Sequence, residues 1–265
     1  MENYRGVSYE TILAWAEGGI GYVQFNRPKA MNSVNITLLD EAYEVLTAYS
    51  DDPEVRVIII CGNENVFCAG ADLAAAKEMN AFEAREFLDH VHRTQFAIED
   101  NNKPVITAVR GMALGGGMEI ILASDIRIVA DNSTLGLPEI SLGIFPGAGG
   151  TQRWPRSASI CSAKLYIFTG DFFNAQEAFR MGLVNMLVPA NEVMDTAAKI
   201  ARKIARKSPL SLRAAKQAIN NSMNVGIKAG CSAEQLAWSM MFSSEDQKEG
   251  MNAFLESRKA EFKGK

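Results

Sequence analysis

Apolar residues recur with two different periods along the chain, and the change of period marks the predicted elements. Residues 11–15 and 20–25 are rich in β-branched and aromatic side chains on either side of Gly18-Gly19, which predicts a β-hairpin. Residues 57–60 and 104–109 are short, continuous apolar runs, typical of strands that are buried on both faces. The amino-terminal half is therefore predicted to contain a sheet with a buried centre.

Helical spacing of apolar residues follows these strands. Asn35 is predicted to be the N-cap of a helix with one buried face, and a second helix is predicted over 81–99. Asn174 is predicted to cap a helix that ends before Gly182. The other predicted strands are 125–130, 134–136 and 184–188, and the other predicted helices are 118–124, 192–207, 211–221, 232–241 and 245–262, the last with a capping box at 244–247.

One pattern, a buried strand followed by a small-residue loop and then a helix, occurs twice. The first loop is predicted over 62–67 and runs on through small residues to position 72, and the second is predicted over 111–117. We expect the two loops at the same ends of neighbouring strands. The predicted organisation is an α/β body followed by a helical tail, with a boundary near residues 190–208.

Composition limits the class of protein. The chain has 265 residues, of which 48% are hydrophobic and 22% charged, and these fractions are ordinary for a soluble globular protein. Its formal net charge of -4 provides no general attraction for nucleic acid or for an anionic membrane. No apolar run approaches the ~18 residues that span a bilayer, and residues 1–5 lack signal or transit character, so a cytoplasmic location is expected. The four cysteines form no C-x-x-C pair, and neither a zinc site nor a disulfide framework is expected.

Several catalytic motifs are absent from the sequence. Gly117 is followed by Met118-Glu119 instead of the Lys-Ser/Thr of a P-loop, the dinucleotide-binding glycine pattern is incomplete, and no G-x-S-x-G motif is present. His90 and His92 lie two apart in a predicted helix, where their side chains point to different faces, and no metal site is expected from them. Acid/base chemistry is therefore assigned to carboxylates.

Glu119 and Glu139 are the carboxylates flanked by apolar residues and glycines, where burial raises a carboxyl pKa towards neutrality. Glu119 follows three glycines that open a predicted helix, and the unpaired amides of a helix N-terminus bind either a phosphate or an oxyanion. Two structural interpretations stay open at this point. Glu119 is also suited to capping its own helix, and Glu139 to an ordinary loop.

Five motifs give the chain a resemblance to the crotonase (enoyl-CoA hydratase/isomerase) superfamily. They occur in the order of that family, almost from end to end, and are FNRPKAMN at 25–32, FCAGADL at 67–73, GMALGGGME at 111–119, Pro138-Glu139 with GIFPGAGGTQR at 143–153, and EGMNAF at 249–254. The resemblance implies an α/β fold, the crotonase (ClpP-like) spiral of repeated ββα units, with a core over 1–200 and a C-terminal helical trimerisation region over 201–265. It further implies a homotrimer or homohexamer.

The resemblance also implies the site. Ala71 and Gly116 would form the oxyanion hole with their backbone amides, while Glu119 and Glu139 would add water to a 2-enoyl-CoA thioester without a metal or redox cofactor. Coenzyme A, a part of the substrate, would lie along residues on three segments. These residues are Lys29, Ala30, Ala69, Ala71, Asp72, Leu73 and Ala74, with Phe254 as the aromatic of the C-terminal helix. Two departures affect this binding surface: Ala74 stands where the family usually has a lysine, at the start of a longer segment, and Ser257 stands where a basic residue is frequent.

Three alternatives remain open. The nearest is an enoyl-CoA isomerase or another acyl-CoA lyase of the same fold that uses Glu139 alone. A second is an RNA-binding hydratase-like protein, suggested by five basic residues of one predicted helix, although their spacing is that of a solvated amphipathic face. The third is a catalytically silent scaffold. The five basic residues are Lys199, Arg202, Lys203, Arg206 and Lys207.

Overall fold

The strands form two sheets in a computed structural model that describes residues 3–265. Met1 and Glu2, which begin the segment evaluated for a targeting signal, lie outside the described residues. In chain order the strands are β1 Ile12–Glu17, β2 Ile20–Phe25, β3 Val57–Cys61, β4 Val66–Cys68, β5 Val105–Val109, β6 Met112–Leu114, β7 Ile126–Ala130, β8 Thr134–Gly136, β9 Phe173–Asn174 and β10 Met186–Val188. The helices are α1 Ile36–Asp51, α2 Leu73–Ala76, α3 Ala81–Glu99, α4 Gly116–Ala123, α5 Gly150–Ser157, α6 Ile160–Thr169, α7 Ala175–Arg180, α8 Val193–Ala205, α9 Pro209–Asn221, α10 Ile227–Met241 and α11 Glu245–Leu255.

The first sheet has the order β1-β2-β3-β5-β7-β10. Its hairpin is confirmed, because β1 and β2 pair antiparallel with Ile12 opposite Phe25 and Glu17 opposite Ile20. Gly18 and Gly19 form the turn with φ of +59° and +79°, the left-handed conformation that a type I′ hairpin turn requires at both positions. The other neighbouring strands, from β2 to β10, run parallel.

Strand β3 shows why the central strands are continuously apolar. All five of its residues are buried. Ile58 and Ile60 belong to the main core with residues of α1, α3 and α4, whereas Val57, Ile59 and Cys61 belong to a second core on the opposite face. Because successive side chains of a strand point to opposite faces, a strand covered on both sides needs an apolar residue at every position.

Helix α8 covers that second face. Its residues Val193, Ala197 and Ala201 are fully buried in the second core. The predicted core ends at position 200, which lies inside this helix. The helix packs on the first sheet and continues to Ala205, beyond that predicted end. The division of the chain into 1–200 and 201–265 stays a prediction.

The second sheet has the order β4-β6-β8-β9, and its first three strands are parallel neighbours. The prediction that 62–67 and 111–117 are entirely loops was wrong, since they contain part of β4 and all of β6. Each of these strands has three residues, too few for a recognisable alternation, and each is stabilised by pairing with a strand distant in sequence. The repeated pattern is therefore a strand in each sheet followed by a helix.

Some helix boundaries also differ from their predictions. Helix α11 ends at Leu255 rather than at 262, because Ser257 takes a left-handed φ of +53° and Arg258 turns back to pair with Glu249. Only half of the predicted capping box forms, with Ser244 Oγ accepting a hydrogen bond from the Gln247 amide. Helix α10 begins at Ile227, five residues before its predicted start at 232. Within residues 3–265, no helix combines the length and apolar character required to cross a membrane.

Glycines let the second repeated unit pack directly against the first. A Cβ on Gly111 would lie 1.8 Å from the Asn65 carbonyl oxygen, and a Cβ on Gly117 would lie 2.3 Å from the Cys68 carbonyl oxygen. Both distances are far below van der Waals contact, and both involve backbone that cannot rotate away. Absence of a side chain at these positions therefore sets the separation of the two units.

We expect Gly117→Ala to destabilise the protein by about 1–3 kcal/mol or more, since the added methyl group forces the two units apart. Gly230→Ala is the matched control, because Gly230 is also helical and a Cβ there would make an ordinary 3.5 Å contact with Val225. This control should be neutral or stabilising by up to about 1 kcal/mol. Urea unfolding of both variants measures the difference, and equal stabilities would contradict the packing argument.

Candidate active site

The carboxyl ends of β4, β6 and β8 carry the candidate site. Ala71 lies three residues beyond the end of β4, Gly116 two residues beyond β6, and Glu139 three residues beyond β8. Because the three strands are parallel neighbours, these positions meet at one edge of the second sheet. Glu119 joins them from the first turn of α4, which begins at Gly116.

The amides of Ala71 and Gly116 lie side by side. A Cβ on Gly116 would lie 3.9 Å from the Ala71 nitrogen, and a Cβ on Gly70 would lie 3.8 Å from the Gly116 nitrogen. Gly70, at φ +106°, and Gly115, at φ +50°, supply the left-handed backbone on which this approach depends. The structure thus brings together the two predicted oxyanion donors.

Both amides are free to donate within residues 3–265. On either side of Ala71 the backbone is held by hydrogen bonds from Val34 N to Gly70 O at 2.8 Å and from Asp72 N to Val34 O at 2.9 Å, while Ala71 N has no acceptor. Gly116 N is the first amide of α4 and has no carbonyl one turn earlier in that helix. Two fixed donors beside a helix N-terminus are suited to a developing negative charge on oxygen.

Glu119 is held in a defined orientation although it is almost completely buried, with 2% exposure. Its Oε1 accepts hydrogen bonds from Ala148 N at 2.9 Å and Gly150 N at 2.8 Å, so it does not cap its own helix. Burial, followed by the nearby charge of Glu139, raises the pKa of Glu119 to about 7. The carboxyl group is therefore able to exchange a proton near neutral pH.

Glu139 opens a 3₁₀ turn, Glu139–Leu142, directly after Pro138. Its Oε1 lies against Gly115, where a Cβ would be only 3.1 Å away. Its Oε2 is buried and makes no hydrogen bond within residues 3–265, and burial raises the pKa of the group. Glu139 is thus not an ordinary exposed loop carboxylate.

Most of the predicted coenzyme A residues lie on adjoining segments. Lys29 and Ala30 belong to the 3₁₀ turn Pro28–Ala30, which is connected to the next segment by a hydrogen bond from Ala69 N to Met31 O of 3.1 Å. Asp72 forms an ion pair with Arg27 at 3.0 Å, so its carboxylate already has a structural partner. Leu73 and Ala74 are exposed at the start of α2.

Phe254 differs from this group. It lies on α11 with 83% of its side chain exposed, and a single chain therefore does not pack it against the site.

His90 and His92 point to different faces as predicted, with His90 Nδ1 2.6 Å from Asp40 Oδ1 and His92 stacked on Phe96.

Sequence reasoning missed two groups that support the site. Asn32 is fully buried, and its side-chain amide donates to the carbonyls of Val66 and Phe67, which fixes the strand that leads to Ala71. The turn 148–150 orients Glu119, as described above. Nothing local in the sequence indicated that two amides of this turn face a carboxylate about thirty residues away.

Comparison with known proteins identifies the family of the chain. The family model described as enoyl-CoA hydratase/isomerase matches residues 16–265. The chain belongs to this family.

Members of the enoyl-CoA hydratase/isomerase family resemble the chain over nearly its whole length. It is 45% identical over 257 residues to the crotonyl-CoA hydratase of Syntrophomonas wolfei, covering 97% of this chain and 99% of that protein. It is also 45% identical over 251 residues to the short-chain-enoyl-CoA hydratase of Clostridium acetobutylicum, covering 94% and 96%. A solved enoyl-CoA hydratase from Bacillus anthracis superposes with a TM-score of 0.93 at 39% identity, covering 97% of this chain and 100% of that one. The fold is therefore the crotonase fold that the resemblance implied.

Burial of Glu119 has a measurable consequence for stability. The carboxyl keeps its proton up to about pH 7 in the folded protein, whereas an unfolded glutamate loses it near the ordinary value of 4.5. Between these values the folded state binds more protons, so this contribution is fully present below pH 4.5 and is lost as pH rises through 7. When pH is raised from 5 to 8, we expect the unmodified protein to lose about 2–3 kcal/mol of unfolding free energy through this group. Glu119→Gln should not show this loss, because glutamine does not titrate.

Urea unfolding at both pH values tests this expectation. Glu78→Gln is the control, because the Glu78 side chain is 81% exposed. A stability difference between Glu119→Gln and the unmodified protein that does not change with pH would contradict the raised pKa.

Proposed function

We propose that the protein is an enoyl-CoA hydratase that adds water reversibly across the C2=C3 bond of a 2-enoyl-CoA thioester. The observation that carries the proposal is the meeting of the buried Glu119 and the half-buried Glu139 with two amides that are unpaired within residues 3–265, at one sheet edge. Nearly full-length identity of 45% to two named hydratases supports it independently.

The two amides account for activation of the thioester. When the nucleophile adds at C3, negative charge develops on the thioester oxygen, and the amides of Ala71 and Gly116 donate to that oxygen. Because both donors are fixed by the surrounding backbone, they need no reorganisation during the reaction, and each is worth about 3 kcal/mol of barrier.

The two glutamates account for the transfer of protons. Glu119 Oε1 is already bound by two amides, and Oε2 makes no hydrogen bond within residues 3–265 and is the oxygen that accepts a proton from water. Glu139 delivers a proton to C2, and the roles reverse in dehydration. In each direction the reactive state of the pair carries a single proton, which like-charge repulsion between two neighbouring carboxyl groups favours.

A short-chain substrate is part of the proposal. The relatives from Syntrophomonas wolfei and Clostridium acetobutylicum are named for crotonyl-CoA and short-chain enoyl-CoA substrates. Binding of the coenzyme A portion along the 28–31 and 69–74 segments would position the acyl group at the amides. A cytoplasmic location also remains a prediction.

We expect Glu119→Gln and Glu139→Gln each to lower kcat for hydration of crotonyl-CoA by about 10²- to 10⁴-fold, since each removes one proton-transfer group. Loss of absorbance of the conjugated thioester follows the reaction. Glu78→Gln, at an exposed position, should retain full activity. Retained hydration by Glu119→Gln would contradict the two-glutamate mechanism and favour an acyl-CoA lyase of the same fold that uses Glu139 alone.

We further propose assembly into a homotrimer or homohexamer. Large apolar side chains are exposed on the C-terminal helices, among them Leu236, Trp238, Phe254 and Leu255 with exposures of 65%, 64%, 83% and 79%. Exposed apolar surface of this kind is typical of a subunit interface. In such an assembly, Phe254 of one subunit would reach the site of a neighbouring subunit, because it does not pack against the site of its own chain.

Native mass spectrometry should therefore give three or six times the chain mass of 28.9 kDa. Trp238→Asp should shift the distribution towards monomer, because a charge at the centre of an apolar interface costs several kcal/mol unless it is paired. Phe82→Asp, on α3 at an even more exposed position, is the control. A monomeric unmodified protein would refute the assembly.

A further inference from the structure

Arg153 is a largely buried charged residue that the mechanism above does not use. It lies in α5, and its side chain is only 10% exposed. The guanidinium donates from Nη1 to Gln95 Oε1 at 2.8 Å, and from Nε and Nη2 to Glu99 Oε2 at 3.1 and 2.7 Å. Both acceptors are on α3, so that Arg153 connects this helix to α5.

The same guanidinium contacts the turn that holds Glu119. Arg153 Nη1 also donates to the carbonyl oxygen of Ala148 at 3.3 Å. Arg153 Nη1 also lies close to Gly149, where a Cβ would be 2.1 Å from this nitrogen. The left-handed φ of +94° at Gly149 and the absence of a side chain there give the guanidinium direct access to the turn backbone.

Ala148 is consequently held from both sides. Its carbonyl accepts from Arg153, whereas its amide donates to Glu119 Oε1, the atom that also accepts from Gly150 N. A connected path of hydrogen bonds thus leads from Glu99 on α3, through Arg153 and Ala148, to the Glu119 carboxyl group. The positive charge of Arg153 also acts to lower the pKa of Glu119, against the larger effect of burial.

We propose that Arg153 is a positioning residue for hydration, which fixes the turn 148–150 and through it the orientation of Glu119. The inference rests on the proposed hydratase function. A residue that only contributed to stability would need no contact with this turn. A residue that positions Glu119 loses its effect on the rate once Glu119 has been replaced.

The test is a double-mutant cycle on kcat for crotonyl-CoA hydration with Arg153→Gln, Glu119→Gln and the combined variant. We expect Arg153→Gln alone to lower kcat by about 100-fold with little change in KM, since a displacement of about 1 Å costs this much. In the Glu119→Gln background the same change should lower kcat by less than about 3-fold. Equal losses in both backgrounds would overturn the proposal.

Two further variants separate positioning from general damage. Arg156→Gln is the matched control, because Arg156 is exposed on the same helix and its side chain, within residues 3–265, hydrogen-bonds only to Gln152. It should leave kcat unchanged. Arg153→Lys keeps the charge but loses the divided hydrogen bonding to Gln95, Glu99 and Ala148, and it should recover only part of the rate.

A second readout does not require activity. With ¹³C-labelled glutamate carboxyl groups, the Glu119 signal is identified by its absence in Glu119→Gln and titrated in the free protein. Arg153→Gln should raise the Glu119 pKa, and Arg156→Gln should not. An unchanged titration in Arg153→Gln overturns the proposal. An unmodified protein without hydratase activity would instead overturn the proposed function, and the titration would still show whether Arg153 acts on Glu119.

Discussion

Close backbone contact between two successive structural units is the constraint on which the rest of the molecule depends. The loop after β4 and the loop after β6 approach each other at Gly70 and Gly115, and α4 passes Cys68 at Gly117, where a side chain would overlap the carbonyl oxygen. Because of this contact the amides of Ala71 and Gly116 come together, although 45 residues separate them in the chain. The glycines of the second loop thus act chiefly by permitting close packing. The adjacent amides of Ala71 and Gly116 are a result of that packing.

Three neighbouring parallel strands then divide the site among them. Strands β4, β6 and β8 each end at the same edge of the second sheet, and each is followed within three residues by one of the proposed catalytic positions. Helix α4 contributes twice, since Gly116 and Glu119 lie on its first turn in a fixed relation. The partners of these two residues, Ala71 and Glu139, come from the units before and after it. A rigid helix between two loops therefore sets the distance between the proposed oxyanion donor and the proposed proton-transfer group.

The electrostatic balance of Glu119 follows from this location. Removal from water raises the pKa of its carboxyl group to about 7, while hydrogen bonds from Ala148 and Gly150 act in the opposite direction and keep the side chain oriented. Arg153 and Glu99 connect that turn to α3. Burial without these contacts would leave an unsatisfied carboxyl group, and contacts without burial would leave an ordinary acidic one.

Local patterns in the sequence determined the hairpin, the doubly buried strands, the caps at Asn35 and Asn174, and the motifs that name the four proposed catalytic positions, because these depend on residues close together in the chain. The three-residue strands β4 and β6 could not be predicted, since their stability comes from pairing across more than 40 residues. The end of α11 at Leu255 depends on a backward turn held by the Arg258–Glu249 pair, which helical periodicity does not contain. Tertiary structure alone decided which amides orient Glu119 and which guanidinium supports them. Hydrogen bonds between distant segments leave no periodic signal in a sequence, whereas burial of an apolar face does.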